Sequence, residues 1–472
     1  MGKIAPLTKG RKKSTTVKAA PIQWSSPWTF VAATTGSVVW LNNFSQFPYL
    51  SGQYGGSAFL IVYLVGVILI SLPLMIMEIM IGRRGGQSPI NAIKRIAQEE
   101  GLSARWSWLG AIGMLTGFLV FAYYSVIAGW TLAHAVRAML GAFRGLTADG
   151  VSSHFSEFVK DPEKQLFWYT LFVVMTLAVV ARNLRKGIEA VTKYVVPAML
   201  ILLIILVIYA MTLRPFFVQS FNDLLQPDFT KLTTDGVLLA LGQAFFGSSL
   251  GVGALMTYGA ALPKEGSIAK FSIIVVLVDL AVAVLAGLVI FPVLAAGNFI
   301  PTSGPDLIFQ TLPVAFDHLR FGTFFGALFY ILLVLVTWMS SISFVEPSIL
   351  WLVERFSIKR TQAVWIFGLA AWVFGIVALL SFNYWAFSFN FFGATKNIGF
   401  FDILLVLTSG ILMPLGSLML AGFVGWKLES AKIQAELNTN SPCSYDAWLW
   451  LIRVVTPILL VILLFNMSKL FL

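Results

Sequence analysis

Apolar runs recur along the whole chain, and the informative positions are those where small and polar residues interrupt them. A hydrocarbon core of about 30 Å takes about 20 helical residues to cross. Runs of that length begin near residues 28, 57, 107, 165, 187, 236, 268, 322, 362, 400 and 446, so the pattern predicts an all-α polytopic membrane protein of about eleven transmembrane helices. In the first run, Gly36, Ser37, Asn42, Asn43, Ser45 and Gln46 stand where lipid-facing sequence carries leucine. The sixth run contains Gly242-Gln243-Ala244-Phe245-Phe246-Gly247-Ser248-Ser249-Leu250-Gly251-Val252-Gly253, with four glycines and two serines in twelve residues. Small residues alone would also suit a close helix–helix contact. The two interruptions lie five helices apart, however, and irregular backbone at membrane depth survives only in protein or beside a watery cavity. Paired breaks at corresponding positions point to a five-plus-five inverted repeat with broken helices 1 and 6 and a binding site between them.

Composition narrows the class further. Of 472 residues, 58% are hydrophobic and 11% charged, and the mean hydropathy is +0.85, which excludes a soluble domain of this length. The net charge of +11 suggests a nucleic-acid partner only until its distribution is read, because the basic residues fall in short loops between apolar runs. Loops after the even-numbered helices hold most of them, including Arg83, Arg84, Arg182, Lys186, Arg360 and Lys432. With the basic tail Lys3 to Lys18, this places the N-terminus in the cytoplasm and, for an odd helix count, the C-terminus outside. The tail has no signal-peptide core or cleavage site, so the first helix is retained. The single cysteine, Cys443, permits no intramolecular disulfide. The organisation expected is a basic cytoplasmic tail (1–24), a core (25–428) with repeats at about 25–213 and 235–428, and a loop with one additional helix (429–472).

Several ordered blocks carry a more specific signal: Asn43-Phe44-Ser45-Gln46-Phe47-Pro48, Gly55-Gly56-Ser57-Ala58-Phe59, Pro73 to Glu78 with Gly82-Arg83-Arg84-Gly85-Gly86, Tyr123-Tyr124, Lys186-Gly187-Ile188-Glu189, Gly242 to Phe246, and Thr257-Tyr258-Gly259. From about Trp24 to its end the chain resembles the neurotransmitter:sodium symporter family, as a divergent member. The resemblance implies the bacterial leucine-transporter fold and cation-coupled uptake of an amino acid or related amine. It implies a substrate pocket of Ser37, Val38, Leu41 and Asn42 on helix 1, Val120 and Tyr124 on helix 3, Phe246, Gly247, Ser249 and Val252 on helix 6, and Ser340 and Phe344 on helix 8. Helix ends freed at the breaks would face a carboxylate, Tyr124 would hydrogen-bond it, and Phe246 would cap the cavity. Trp40 joins the pocket as its main departure, since the family has glycine there, or aspartate in monoamine carriers. That absence favours amino acids over monoamines. Asn42 also replaces a small residue, whereas Gly247 and Val252 stand where larger groups are common.

The expected cation sites depart too. The first sodium site would fall on Val38, Asn43, Gly247 and Asp279, where a hydroxyl has gone and a carboxylate has appeared. An intramembrane carboxylate is a functional candidate by default, although a structural carboxylate remains the alternative. Many family members use chloride to supply charge beside this sodium, so Asp279 implies that chloride is not required. The second site would use carbonyls of Gly36, Val39 and Val336 with Ser340; Met339 occupies the remaining ligand position, and a thioether suits hard Na⁺ poorly. For the outer gate the chain has Gln46 and Leu405 in place of an arginine–aspartate pair, a joint loss that leaves no unpaired charge. At the inner gate Trp24 and Glu354 match the family, while Pro21 replaces arginine and Ala261 replaces tyrosine, leaving Lys18 or a weakened gate.

Glu78 and Glu346 are expected to serve the scaffold, and Asp402 either lines the outer vestibule or caps helix 10. None of His134, His154 and His318 has metal-ligand spacing, and no nucleophilic triad or phosphate loop is present. The expectation is therefore not an enzyme but a secondary active transporter in the cell membrane, the bacterial inner membrane being the natural setting, that moves an amino acid or similar small zwitterion with Na⁺. A proton-coupled or uncoupled carrier and a non-transporting sensor are the alternatives.

Overall fold

The structure, a computed structural model, describes residues 23–391, 394–438 and 442–466. Most of the basic tail, with Lys18 and Pro21, lies outside the described residues. Nine helices among those described are long and apolar enough to cross a membrane. Together with two interrupted ones, Pro27–Gln53 and Thr234–Ala260, they supply the eleven spans. Each begins within three residues of its sequence expectation. The starts have local causes. Ser26 accepts a hydrogen bond from the Trp28 N–H (3.2 Å) with Pro27 at the first helical position, and Asp161 accepts from the Glu163 and Lys164 N–H groups (both 3.1 Å) ahead of Pro162. Such caps satisfy the orphan donors of a helix N-terminus.

Both expected breaks are present. Span 1 is helical over Pro27–Val38 and again over Gln46–Gln53, with Val39 and Trp40 extended and a single 3₁₀ turn, Leu41–Phe44, between. Span 6 runs Thr234–Phe246 and resumes over Ala254–Ala260. Between them Ser249 (φ 51), Gly251 (φ 74) and Gly253 (φ 78) adopt left-handed backbone, which glycine accepts without penalty. Glu78 of span 2 is fully buried and accepts the Gly251 N–H through Oε1 at 2.8 Å. That matches the scaffold role expected of Glu78, because the break frees a donor that hydrocarbon could not satisfy. Span 2 can approach so closely because Gly82 has no Cβ, which would lie 1.9 Å from the Met256 carbonyl oxygen.

Spans 3 (Ala104–Met139) and 8 (Gly322–Phe356) are the most enclosed, with 72% of their apolar windows buried; spans 4 (Pro162–Val180), 5 (Arg185–Met211) and 11 (Cys443–Phe465) have only 33% buried and form the periphery. The breaks therefore sit against the two central helices. One feature departs from an all-α reading: strands β1 (Ala386–Phe391) and β2 (Ala394–Gly399) pair antiparallel between spans 9 (Arg360–Leu380) and 10 (Phe400–Lys427). Asp402 accepts the Gly399 N–H at 2.9 Å and so caps span 10. Glu346 of span 8 pairs with Arg360 at the start of span 9.

Candidate functional site

The extended pair Val39–Trp40 aims the Trp40 side chain into the space between the breaks. Its indole is 8% exposed. It packs on Phe344 (ring centroids 5.0 Å apart, 68°) and Tyr124 (5.9 Å, 58°), and Nε1 donates to Ser249 Oγ at 2.6 Å. Ser249 Oγ in turn donates to the Ser37 carbonyl at 2.5 Å, tying span 6 to span 1. Tyr124 Oη accepts the Leu41 N–H and lies next to Ser340 Oγ, each at 3.3 Å. Seven expected pocket residues, Ser37, Trp40, Leu41, Tyr124, Ser249, Ser340 and Phe344, thus form one connected group.

Val38, Val120, Gly247 and Val252 are buried, and a Cβ on Gly117 of span 3 would lie 2.9 Å from the Val252 carbonyl oxygen. Spans 3 and 6 therefore touch through backbone at this level. Phe246 is half-buried beside Phe245 (5.1 Å), and Asn42 donates to Gln243. The Ser37 hydroxyl is fully buried and has no partner within the described residues. An unmatched buried hydroxyl between the two breaks is a place for a ligand to bond.

A second cluster adjoins the first. Asn43 Oδ1 accepts the Trp40 N–H (3.2 Å), Asn43 Nδ2 donates to Asp279 Oδ1 (2.8 Å), and Tyr63 Oη donates to Asp279 Oδ2 (3.4 Å). Asp279 is 5% exposed and has no cationic partner within the described residues. Lone pairs left on Asp279 and Asn43 constitute a hard-oxygen set suited to a small cation. At the residues where the second sodium site was expected, the Met339 side chain packs against Gly36: a Cβ there would lie 3.0 Å from its Cε and 3.1 Å from its Cβ. Ser340 Oγ turns back to the Val336 carbonyl at 3.0 Å.

At the end that carries the basic loops, Trp24 is 2% exposed; its Nε1 donates to the Tyr258 carbonyl (3.0 Å) and its backbone N–H to the Ala261 carbonyl (3.1 Å). Ser25 bonds Glu189, and Arg185 Nε donates to the Gln23 carbonyl (2.9 Å). Glu354 engages a different segment, accepting from Ser88 N–H (3.0 Å) and Asn91 Nδ2 (2.7 Å) at the start of the loop helix Pro89–Glu99. At the opposite end Gln46 and Leu405 are half-buried, and Tyr123 packs edge-on to Phe401 (5.4 Å) between spans 3 and 10. Sequence reasoning had given no role to Tyr63, Gln243 or Ser88. An amide inside the apolar sixth span was the available signal for Gln243.

A model of the "Sodium:neurotransmitter symporter family" matches residues 22–144 and 154–471. The chain belongs to that family. It is 34% identical over 450 residues to a Bacillus subtilis protein described as uncharacterized sodium-dependent transporter YhdH, covering 95% of this chain and 98% of that protein. A Haemophilus influenzae protein, described as an uncharacterized sodium-dependent transporter, is 32% identical over 456 residues, covering 95% of this chain and 98% of its own length. Among solved structures, MhsT in complex with L-phenylalanine superposes with a TM-score of 0.83 at 34% identity, over 94% of this chain and 99% of that one. As a family member, the chain has the fold and class of a multi-pass membrane transporter rather than those of an enzyme.

Proposed function

We propose that this protein is a sodium-coupled symporter of an amino acid or similar small zwitterion, working by alternating access with its N-terminus cytoplasmic. The observation that carries the reading is the meeting of both unwound segments at one polar site, with Tyr124 on one side and Asn43–Asp279 on the other. Free backbone donors and the Tyr124 hydroxyl suit a substrate carboxylate. The names of the sodium-dependent relatives and the L-phenylalanine bound to MhsT support the ion and the substrate class. Ser37, Val38, Leu41, Asn42, Val120, Phe246, Gly247, Ser249, Val252, Ser340 and Phe344 complete the pocket; Val38, Asn43, Gly247 and Asp279 serve the cation. Asp279 supplies negative charge within the protein, and chloride is not required. Trp24 and its latch close the inner side.

Met339 favours a specific second reading, in which the chain runs on fewer sodium ions or on protons. Purified protein in liposomes separates these: an inward sodium gradient should drive amino-acid accumulation, and collapse of that gradient should abolish it. Accumulation that follows only an inward proton gradient would select the second reading, and ligand binding without flux would mark a sensor. A further outcome is expected from Met339→Thr. Restoring a hydroxyl beside Gly36, Val39, Val336 and Ser340 should raise the Hill coefficient for sodium from near one toward two, read from initial uptake rates. An unchanged coefficient would show that the methionine does not replace a sodium ligand.

A further inference from the structure

Outside the central site, a shallow open depression of about 500 Å³ lies where the loop between spans 4 and 5 meets the start of span 9. It is lined by Ala181, Arg182, Asn183, Lys186 and Arg360, which are three cations and no carboxylate. Their partners differ in a telling way. Arg360 is already committed, to Glu346 and, through Nε, to the Val180 carbonyl at 2.7 Å. Arg182 and Lys186 are exposed and have no carboxylate partner within the described residues. On the same end of the molecule Arg83 pairs with Glu436 and Arg84 with Glu100, while Lys432 reaches Glu100 and Glu429. Glu189, the nearest acid along the chain, is taken by Ser25. Like several other basic residues of this end, these two charges have no carboxylate partner within the described residues, and a fold constraint holds them together beside Arg360. Gly187 allows a tight turn after span 4, since a Cβ there would lie 2.3 Å from the Val179 carbonyl oxygen and 3.0 Å from Arg182 Cβ.

Position completes the argument. Span 4 ends at Val180 and span 9 begins at Arg360, so the depression lies at headgroup depth. The two spans pack side by side, with Tyr169 Oη donating to the Ala371 and Trp372 carbonyls (both 3.1 Å) and Leu177 against Gly368. Exposed Val174, Trp365 and Leu369 lie further along these spans, where a bilayer places acyl chains. We propose that Arg182, Lys186 and the adjoining depression bind the phosphate of an anionic phospholipid. A phosphodiester offers acceptors to the Arg182 fork and to the Lys186 ammonium, and basic pockets between transmembrane helices suit such headgroups. The inference stands independently of the transport reading.

The test uses the full chain in neutral detergent and follows its unfolding temperature during titration with phosphatidylglycerol, phosphatidylcholine or inorganic phosphate. Phosphatidylglycerol should stabilise the parent saturably. The double variant Arg182→Gln/Lys186→Gln should bind it about thirty-fold more weakly, at roughly 1 kcal/mol per basic residue. The charge-conserving pair Arg182→Lys/Lys186→Arg should keep most of the affinity, which guards against a folding defect, and Lys94→Gln/Lys270→Gln should match the parent. Equal phosphatidylglycerol binding by parent and double variant would overturn the site. Equal stabilisation by inorganic phosphate would overturn the lipid as its occupant, and equal stabilisation by phosphatidylcholine would overturn the role of headgroup charge.

Discussion

Replacing Trp40 by glycine is expected to invert the size preference of the central pocket. The indole fills the space between Tyr124, Phe344 and Ser249, the volume assigned to a substrate side chain in the function proposed above. Its removal leaves an apolar cavity, and each methylene that a bulky amino acid then buries is worth about 0.8 kcal/mol. The affinity ratio of bulky to small amino acids should rise by at least about tenfold, a range that pocket methylenes alone can supply. Without ligand the variant should lose stability by about 3 to 5 kcal/mol, the usual cost of deleting a buried aromatic, and bulky ligands should restore part of it. A competition series of amino acids against the parent and Trp40→Gly measures the ratio; an unchanged profile would place Trp40 outside the pocket. Trp40→Phe, which keeps a ring but loses the Nε1 bond to Ser249, should give a smaller change.

The second large effect is expected from Asp279→Asn. Asn43 and Tyr63 orient the carboxylate through hydrogen bonds to separate oxygens, so an amide fits the space but carries no charge. Opposite charges about 4 Å apart in a medium of effective dielectric about 20 attract by about 4 kcal/mol, part of which desolvation offsets. Sodium affinity should fall by at least about tenfold, and chloride should now raise uptake by restoring the missing negative charge. If sodium binds Asp279 in the parent as proposed, protons compete for the same carboxylate, and apparent sodium affinity should weaken as pH falls. The variant should lack that dependence. If uptake ignored sodium, chloride and pH in both proteins, Asp279 would be a scaffold residue.

Much of the fold was legible because the membrane enforces it. Long apolar runs must be helices, and the glycines and serines of Gly242–Gly253 could not have been selected for lipid contact. The site was less so. The family resemblance identified Trp40 and Asp279 as departures, but it said nothing of the Trp40–Ser249–Ser37 chain, which depends on three-dimensional placement. Glu354 matched an inner-gate position, but the resemblance said nothing of its bonds to Ser88 and Asn91 at the start of the loop helix, which depend on how that helix is placed. The β1–β2 hairpin had a period-two signal in Phe387, Phe389 and Phe391 alternating with Ser388 and Asn390. It was masked by the helical character of everything around it.

If Met339 against Gly36 removes the second coupled ion, it also sets a limit on work. A carrier that moves one sodium ion per cycle can concentrate a neutral zwitterion at most by the sodium ratio multiplied by one unit of membrane driving force, about 2.3 kcal/mol per 100 mV, or roughly fifty-fold. A second coupled ion would square that ceiling. On the proposed reading with one sodium ion, a methionine in the second site would trade concentrating power for a lower ionic cost per molecule.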